Sequence, residues 1–260
     1  MKRIFLTIAY DGTDFRGFQR QDGLRTVEGE LEAAIGRLTG ETPELIGASR
    51  TDSGVHALEN AVVFDTDSTI PPERFANALQ PLLPQDLRAI YSAEKEPLWH
   101  PRKQNSVKTY EYYIYNALKP DPLLNRYSCF CSYRLDLDAM NRAAALLLGE
   151  HDFLSFANPD SQVLQRGGDA VRTLYRAEAE RVALRPQEAY GDRLGLVRIV
   201  ISGNGFLYHM VRILSGTLLE VGRGRWQPEK ITEILKARSR AAAGPTLEAK
   251  GLLLKSIQYL

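Results

Sequence analysis

The chain has 260 residues, of which 44% are hydrophobic and 25% charged, a balance that excludes a disordered polymer and suits one large domain or two smaller ones. Its 33 Lys and Arg are matched by 32 Asp and Glu, so a net charge of +1 excludes a global field that would draw in a polyanion. A nucleic-acid binder of this composition has to gather its basic residues on one face.

Residues 2–10 alternate in character, Ile4, Leu6 and Ile8 against Phe5 and Thr7, which predicts a strand. Thr26 is placed to N-cap a helix carrying Val27, Leu31, Ala34, Ile35 and Leu38 on one face. Residues 44–47 and 60–65 are expected as short strands flanking a turn-rich loop. Pro71 and Pro72 suit the start of a second helix with Phe75, Leu79 and Leu82 along one side, and Leu87 to Lys95 is extended again. The order is β-α-β-β-α-β.

The second half repeats it. Residues 107–115 form an aromatic strand-like run, and Asp136 or Asp138 caps a helix bearing Met140, Ala144, Leu147 and Leu148. Two extended runs follow at 171–184 and 194–202, the latter with Leu194, Leu196, Val197, Ile199 and Ile201. A long apolar helix is expected from Phe206 to Val221, a shorter one after Pro228, and a last strand near Leu252–Ile257. This is the split βαβ, ferredoxin-like order twice, without a residue-level repeat. The expected fold class is α+β: two ferredoxin-like β-α-β-β-α-β units, 1–105 and 106–260, with mostly antiparallel sheets joined side by side around a central cleft. Such a cleft is a favoured ligand site, although the fold alone implies no chemistry.

The opening MKRIFLTIAY runs directly into the strand pattern and lacks the longer apolar run and cleavage site of a signal peptide. Cys129 and Cys131, one residue apart on an extended segment, share a face and make a poor disulfide framework. No stretch reaches the apolar length of a membrane span. A reduced, cytoplasmic protein is the expectation. Basic residues cluster at Arg16, Arg20 and Arg25, at Arg102, Lys103 and Lys108, at Arg166 and Arg172, and at Arg223 and Arg225. Each cluster permits RNA binding and equally suits a solvated face.

Chemistry concentrates in Gly47-Ala48-Ser49-Arg50-Thr51-Asp52-Ser53-Gly54-Val55-His56-Ala57. Glycines near both ends permit unusual backbone angles and close approach of a ligand. An arginine, a carboxylate and a histidine stand between them without the spacing of a core-facing element. The plainer alternative is a polar hairpin tip. The string, however, is very similar to the active-site motif GxGRTDxGVHA of the TruA family of tRNA pseudouridine synthases. Tyr10-Asp11-Gly12-Thr13-Asp14-Phe15-Arg16-Gly17-Phe18-Gln19-Arg20-Gln21, followed by Thr26-Val27-Glu28, resembles the family's YDGxxFxGWQxQ…TVQ segment. Trp99-His100-Pro101-Arg102 matches an FHAR-like element, and Lys108 to Asn116 matches the YxYxIxN strand. Phe206-Leu207-Tyr208-His209-Met210-Val211-Arg212 corresponds to FxxHMVR, and Glu248 to Leu252 resembles the closing A-x-x-GL. The motifs stand in family order over essentially the whole chain.

The resemblance implies the pseudouridine synthase fold and isomerisation of uridine to pseudouridine in the tRNA anticodon stem-loop, at positions 38, 39 or 40. That reaction breaks the N1–C1′ bond, turns the uracil and rejoins it through C5. It involves no redox change and loses no group, so no cofactor is expected. It needs a carboxylate at the ribose and base, a role the resemblance assigns to Asp52. Arg212 is implied as its basic partner, and its apolar neighbours Met210, Val211, Ile213 and Leu214 leave it short of solvated company. Tyr110 is implied to stack on the target uracil. A stem base must be flipped out to react, and Arg50 is implied to act in that step, with His56 and Arg102 as further RNA contacts. The partners implied are tRNA and a second copy of the chain in a homodimer.

Competing motifs fail. Asp52-Ser53-Gly54 has no second copy to complete an aspartic-protease dyad. Ala9 stands where the nucleophile of a DxDGT phosphatase belongs. Gly203-Asn204-Gly205 continues to Tyr208 where a dinucleotide loop needs a third glycine, and His56, His100, His151 and His209 lack metal-ligand spacing. The surviving alternative is a catalytically impaired RNA-binding member of the same fold. It draws on four departures from the family pattern: Ser49 for Gly, Ser53 for Ala, Phe18 for Trp and Glu28 for Gln.

Overall fold

The alternation at the start of the chain is realised as strand β1 (Lys2–Tyr10), with Ile4, Leu6 and Ile8 fully buried. Helix α1 (Val27–Thr39) follows, and the Thr26 side chain accepts from the Gly29 amide as a true N-cap. Its turn side carries Val27, Leu31, Ala34 and Ile35, all buried. Next come β2 (Ile46–Gly47), β3 (His56–Thr66), α2 (Phe75–Leu79) and β4 (Leu87–Lys95). The expected second helix is broken into a 3-10 turn at Pro72–Arg74, the short α2, and another 3-10 turn at Gln80–Leu82. Pro81 offers no amide hydrogen and cannot extend the helical ladder.

The computed structural model describes residues 1–182 and 195–260. They divide into two units, Met1–Ser106 with Leu253–Leu260, and Val107–Leu252. The first unit holds the strand order β4-β1-β3-β10, where β10 is Leu252–Tyr259. β1 runs antiparallel to both β3 and β4. The last strand was expected within 106–260 as part of the second half. From Leu253 on it groups instead with the first unit, because Leu253 and Leu254 pair in parallel with His56 and Ala57. On the same edge of β3, Ile46 and Gly47 pair with Val63 and Val62, so the backbone edge beside the loop is covered.

In register, Ile4 lies opposite Phe64, whose ring meets Phe75 of α2 edge-on at 5.6 Å. The helices therefore cover the Ile4 side of the sheet. Phe5, Ala61 and Val63 form a second small core with Ala48, against which Trp99, Ile257 and Tyr259 pack.

The second unit is built from β5 (Ser106–Asn116), β6 (Cys129–Cys131), α3 (Leu137–Ala145), β7 (Gly149–Asp152), α4 (Gln162–Gln165), β8 (Val171–Val182), β9 (Gly195–Gly203), α5 (Met210–Gly222) and α6 (Lys230–Ala237). The strand order β5-β9-β8-β7 is antiparallel throughout, and β6 joins β5 in parallel. Residues 183, 184 and Leu194, expected at the ends of β8 and β9, lie outside the described residues. Asp136, rather than Asp138, caps α3 by accepting from the Ala139 amide at 2.9 Å. Leu148, expected on the buried face of α3, is 42% exposed, since the helix ends at Ala145 and Gly149, with φ of +90°, turns the chain into β7.

Every residue of α5 except Arg212 is buried, the signature of a helix covered on all sides. Two glycines permit this. A Cβ on Gly216 would stand 2.0 Å from the Pro245 carbonyl oxygen, and one on Gly222 would meet the Met140 sulfur at 2.6 Å. The mixed, mostly antiparallel α+β architecture agrees with the expected class.

Candidate active site

The chemistry-bearing loop joins β2 to β3 and is pinned along its length. Ala48 is anchored in the small core and its amide donates to the Ala61 carbonyl at 2.7 Å. Ser49 is clasped by Asn60 on β3: Oδ1 accepts from the Ser49 amide at 3.3 Å, and Nδ2 donates to its carbonyl at 2.9 Å. Thr51 meets the Tyr10 hydroxyl at 2.7 Å, and its carbonyl accepts from the Phe18 amide at 3.0 Å. The Val55 amide closes back on the Asp52 carbonyl at 3.1 Å, and Gly54 takes the left-handed φ of +80° that this turn requires. Ala48, Ser49, Thr51 and Val55 are buried, Asp52 is half-buried and Arg50 is exposed. The loop thus hides its anchors and presents the carboxylate and the arginine.

A brace formed by residues 11–26 lies against the loop. A Cβ on Gly12 would stand 2.0 Å from the Val55 carbonyl oxygen, so no larger residue fits without displacing one segment from the other. Gly17, at φ +90°, brings its backbone against Thr51 and Ser53. Phe15 is 1% exposed and carries the Arg25 guanidinium 4.2 Å above its ring. Arg25 forks onto Asp86 with two bonds of 2.8 Å and holds that carboxyl below the usual carboxylate range.

His56, expected among the RNA contacts, is 6% exposed at the start of β3. Its Nδ1 lies 3.1 Å from the Gly12 amide and 3.1 Å from Asp11 Oδ1. One nitrogen cannot accept from Gly12 and donate to Asp11 at once, so the ring proton selects between the two. In either state this histidine ties brace to loop.

Arg50 and Arg102 are both exposed. Arg102 stands on a turn whose Trp99 carbonyl is held by Arg3 at 2.9 Å, and its amide donates to His100 Nδ1 at 3.2 Å. Partial desolvation, then the like charge of Arg50, lowers the Arg102 pKa, and Glu28 opposes both. Burial raises the Glu28 carboxyl, while a 2.7 Å bond from the Arg20 amide and the two arginines favour its charge. The first unit therefore groups a carboxylate-bearing loop with two cationic side chains within electrostatic reach of each other.

Tyr110 and Arg212 belong to the second unit. Tyr110 on β5 is 7% exposed and meets Phe206 edge-to-face at 5.2 Å and 84°. Tyr112 on the same strand face is fully buried, and its hydroxyl donates to the Glu248 carbonyl at 2.7 Å. Burial pushes its phenol strongly upward, so it serves as a structural tyrosine. Arg212 is half-buried, and its Nε donates to the Leu247 carbonyl at 2.7 Å. The helix expected from Phe206 begins only at Met210, because His209 adopts a left-handed φ of +61°. That histidine leans on Tyr208 at 3.8 Å between centroids with the rings tilted by 32°, and its Nδ1 is 3.0 Å from Asn158 Nδ2.

The departures fit this framework. Ser53 Oγ donates to the Phe15 carbonyl at 3.2 Å, adding a bond between loop and brace. Ser49 needs no left-handed backbone. Phe18 covers Gly47, where a Cβ would stand 2.3 Å from its ring. Asn60 and Tyr10, which hold the loop, escaped the sequence reading as functional residues. The signal for Asn60 was a polar residue at an inward position of the apolar run Ala61-Val62-Val63-Phe64. Among the described residues, no group of three or more His, Cys, Asp or Glu side chains is arranged to hold a metal ion, and no helix is long and apolar enough to cross a membrane.

The family model described as tRNA pseudouridine synthase matches residues 6–102 and 143–260. A protein named tRNA pseudouridine synthase A from Brevibacillus brevis is 42% identical over 259 residues, covering all of both chains. Relatives of the same name from Acetivibrio thermocellus and Moorella thermoacetica are 41% and 43% identical, over all of both chains and over 98% of each. With the family matched across both units, and with Asp52 standing in the pinned loop, this chain belongs to the tRNA pseudouridine synthase family.

Proposed function

We propose that this enzyme isomerises uridine to pseudouridine in the anticodon stem-loop of tRNA, at positions 38, 39 or 40, with Asp52 as its catalytic carboxylate. The observation that carries the reading is a half-buried aspartate on a loop anchored on both sides, within the family's active-site string. In the reaction the N1–C1′ bond breaks and a C5–C1′ bond forms. The C5 proton leaves and N1 regains one, so atoms and electrons balance without an external reactant. Asp52 acts at the ribose or base as nucleophile, base or electrostatic partner.

Arg212, with its stem anchored to Leu247, is the proposed basic partner of that carboxylate, and Tyr110 the proposed stacking face for the uracil. Arg50 and Arg102 supply phosphate contacts once the nucleotide is flipped out. His56, whose Nδ1 is engaged by Gly12 and Asp11, acts by tying brace to loop. We further propose a cytoplasmic homodimer, in which one RNA spans two copies. Light scattering of the native protein should return twice the 29.2 kDa chain mass, and a stable monomer removes that part of the proposal.

The test of the chemistry is release of tritium from tRNA carrying 5-tritiated uridine. Wild type should release label, and Asp52→Asn should lose at least about 100-fold in rate while still binding RNA. Equal release by both proteins refutes the role of Asp52. Release by neither favours an RNA-binding member without catalysis.

A further inference from the structure

We infer that Asn60, acting through Tyr10 and Thr51, is a positioning residue that aims Asp52 before RNA binds; this rests on the proposed catalytic role of Asp52. Asn60 is fully buried in β3, opposite Ile8, on the sheet face that also carries Val62 and Phe64. An aliphatic side chain there would cost nothing in desolvation. A buried amide is tolerated only where its polar atoms find partners.

They all do. Oδ1 accepts from the Ser49 amide at 3.3 Å and the Ala61 amide at 2.9 Å, and Nδ2 donates to the Ser49 carbonyl at 2.9 Å and the Tyr10 hydroxyl at 3.1 Å. These four bonds use the full capacity of an amide side chain. The Tyr10 hydroxyl passes the chain on to Thr51 Oγ1 at 2.7 Å.

The partners are not scattered. Ser49 and Thr51 lie three and one residues before Asp52, so one buried network grips the backbone upstream and the neighbouring side chain. The Thr51 carbonyl is taken by Phe18 and the Asp52 carbonyl by Val55. With these bonds in place, the direction of the Asp52 Cα–Cβ bond is set by the protein and not by the ligand. Tyr10, Asn60 and Thr51 are 5%, 0% and 8% exposed, so water competes little for any link. Misplacing a reacting group by about 1 Å can cost on the order of 100-fold in rate. A network that fixes a loop to that tolerance therefore reads out in turnover.

The test measures kcat and KM for tRNA by tritium release, per folded protein as scored by thermal melting. Tyr10→Phe and Thr51→Val each remove one hydroxyl with little change of volume, and each should lower kcat about 10-fold with KM held within about 2-fold. Because both break the same link, and Tyr10→Phe also removes an acceptor from Asn60, the double variant should fall no further than Tyr10→Phe alone. Thr51→Ser should recover most of what Thr51→Val loses. Asn60→Leu, which empties the whole clamp, should approach about 100-fold; where it fails to fold, the Tyr10 and Thr51 pair decides alone. Melting shifts with kcat unchanged overturn the inference, as does a rise in KM with kcat unchanged. Asp52→Asn, measured alongside, separates the two readings. If it is inactive while the clamp variants turn over normally, only the clamp fails. If it turns over like wild type, both fall.

Discussion

The loop ahead of β3 in the first unit bears Asp52, and the turn between β9 and α5 in the second packs on Tyr110 and leads into Arg212, yet the two are held differently. The 48–55 loop is fixed by hydrogen bonds between buried polar groups and backbone: Asn60 on Ser49, Tyr10 on Thr51, Phe15 and Phe18 on the turn itself. The 204–209 turn has backbone bonds from Asn204 to Thr173 and from Asn158 to Tyr208, and it adds ring-to-ring contacts that the loop lacks, Phe206 edge-on to Tyr110 and His209 tilted against Tyr208. Hydrogen bonds are directional, preferring angles above about 150° and weakening steeply below about 120°, which suits a group that must be aimed. An edge-to-face contact engages one ring through its edge or one face and orients it without a polar link, which suits a group that must meet a flat base. The difference separates aiming from holding.

The largest effect should come from breaking the contact between brace and loop. Gly12→Ala puts a Cβ about where the Val55 carbonyl oxygen stands, 2.0 Å away, and the obstruction is backbone that cannot swing aside. Overpacking of this kind costs about 3 kcal/mol and moves the loop relative to its anchors. Urea unfolding should show the loss, and the folded fraction should have a kcat at least about 100-fold down. The same substitution in the second unit's turn, Gly205→Ala, meets nothing closer than Arg172 Nε at 3.6 Å and should be tolerated. Equal damage at both sites would show that the two segments are equally rigid and remove the contrast.

A smaller effect tests how the brace is fastened. Arg25 lowers the Asp86 pKa mainly by hydrogen bonding, so the pair's stabilisation is complete above the ordinary aspartate value of about 3.9 and is lost as pH falls through the lower folded value. Asp86→Asn should cost about 1 kcal/mol near neutral pH, a figure kept low because both side chains are partly exposed. The gap between wild type and variant should begin to close below about pH 4 and disappear as pH falls through the lower folded value, where the wild type too loses the pair. A gap that stays constant down to pH 2 would mean that the charge of Asp86 does not contribute and that Arg25 holds the brace through Phe15 and Glu30.

Much of this architecture was legible in the sequence where one physical signal dominated. Alternation gave β1, the Thr26 cap gave the start of α1, and the loop string drew attention to Asp52. Boundaries failed where a tertiary demand overrode a local pattern. The apolar run from Phe206 is helical in composition, but Leu207 is buried in the turn and His209 takes a left-handed angle, so the helix begins at Met210. Pro81 divided the second helix, and Gly149 ended the third before Leu148 could be buried. The closing strand could not be assigned to a unit from its own residues, because the β3 residues it pairs with in the first unit lie almost 200 positions earlier. His56 was visible as a residue type but not as a buried one. Asn60 stood out only as a polar residue in an apolar run, and its partners Ser49 and Tyr10 are visible only in the fold.

The smallest effect is also the sharpest comparison. Phe206→Leu keeps an apolar side chain but removes the ring edge that orients Tyr110, a contact of about 0.5–1.5 kcal/mol. If Tyr110 holds the base instead of aiming the chemistry, the loss should weaken ground state and transition state alike. KM for tRNA should then rise about 2- to 10-fold with kcat nearly unchanged. That is the mirror image of the pattern expected for Tyr10→Phe, where kcat falls and KM stays. A Phe206→Leu enzyme with lowered kcat and unaltered KM would place Tyr110 among the groups that must be aimed, and the division between a hydrogen-bonded region that directs and an aromatic region that holds would no longer stand.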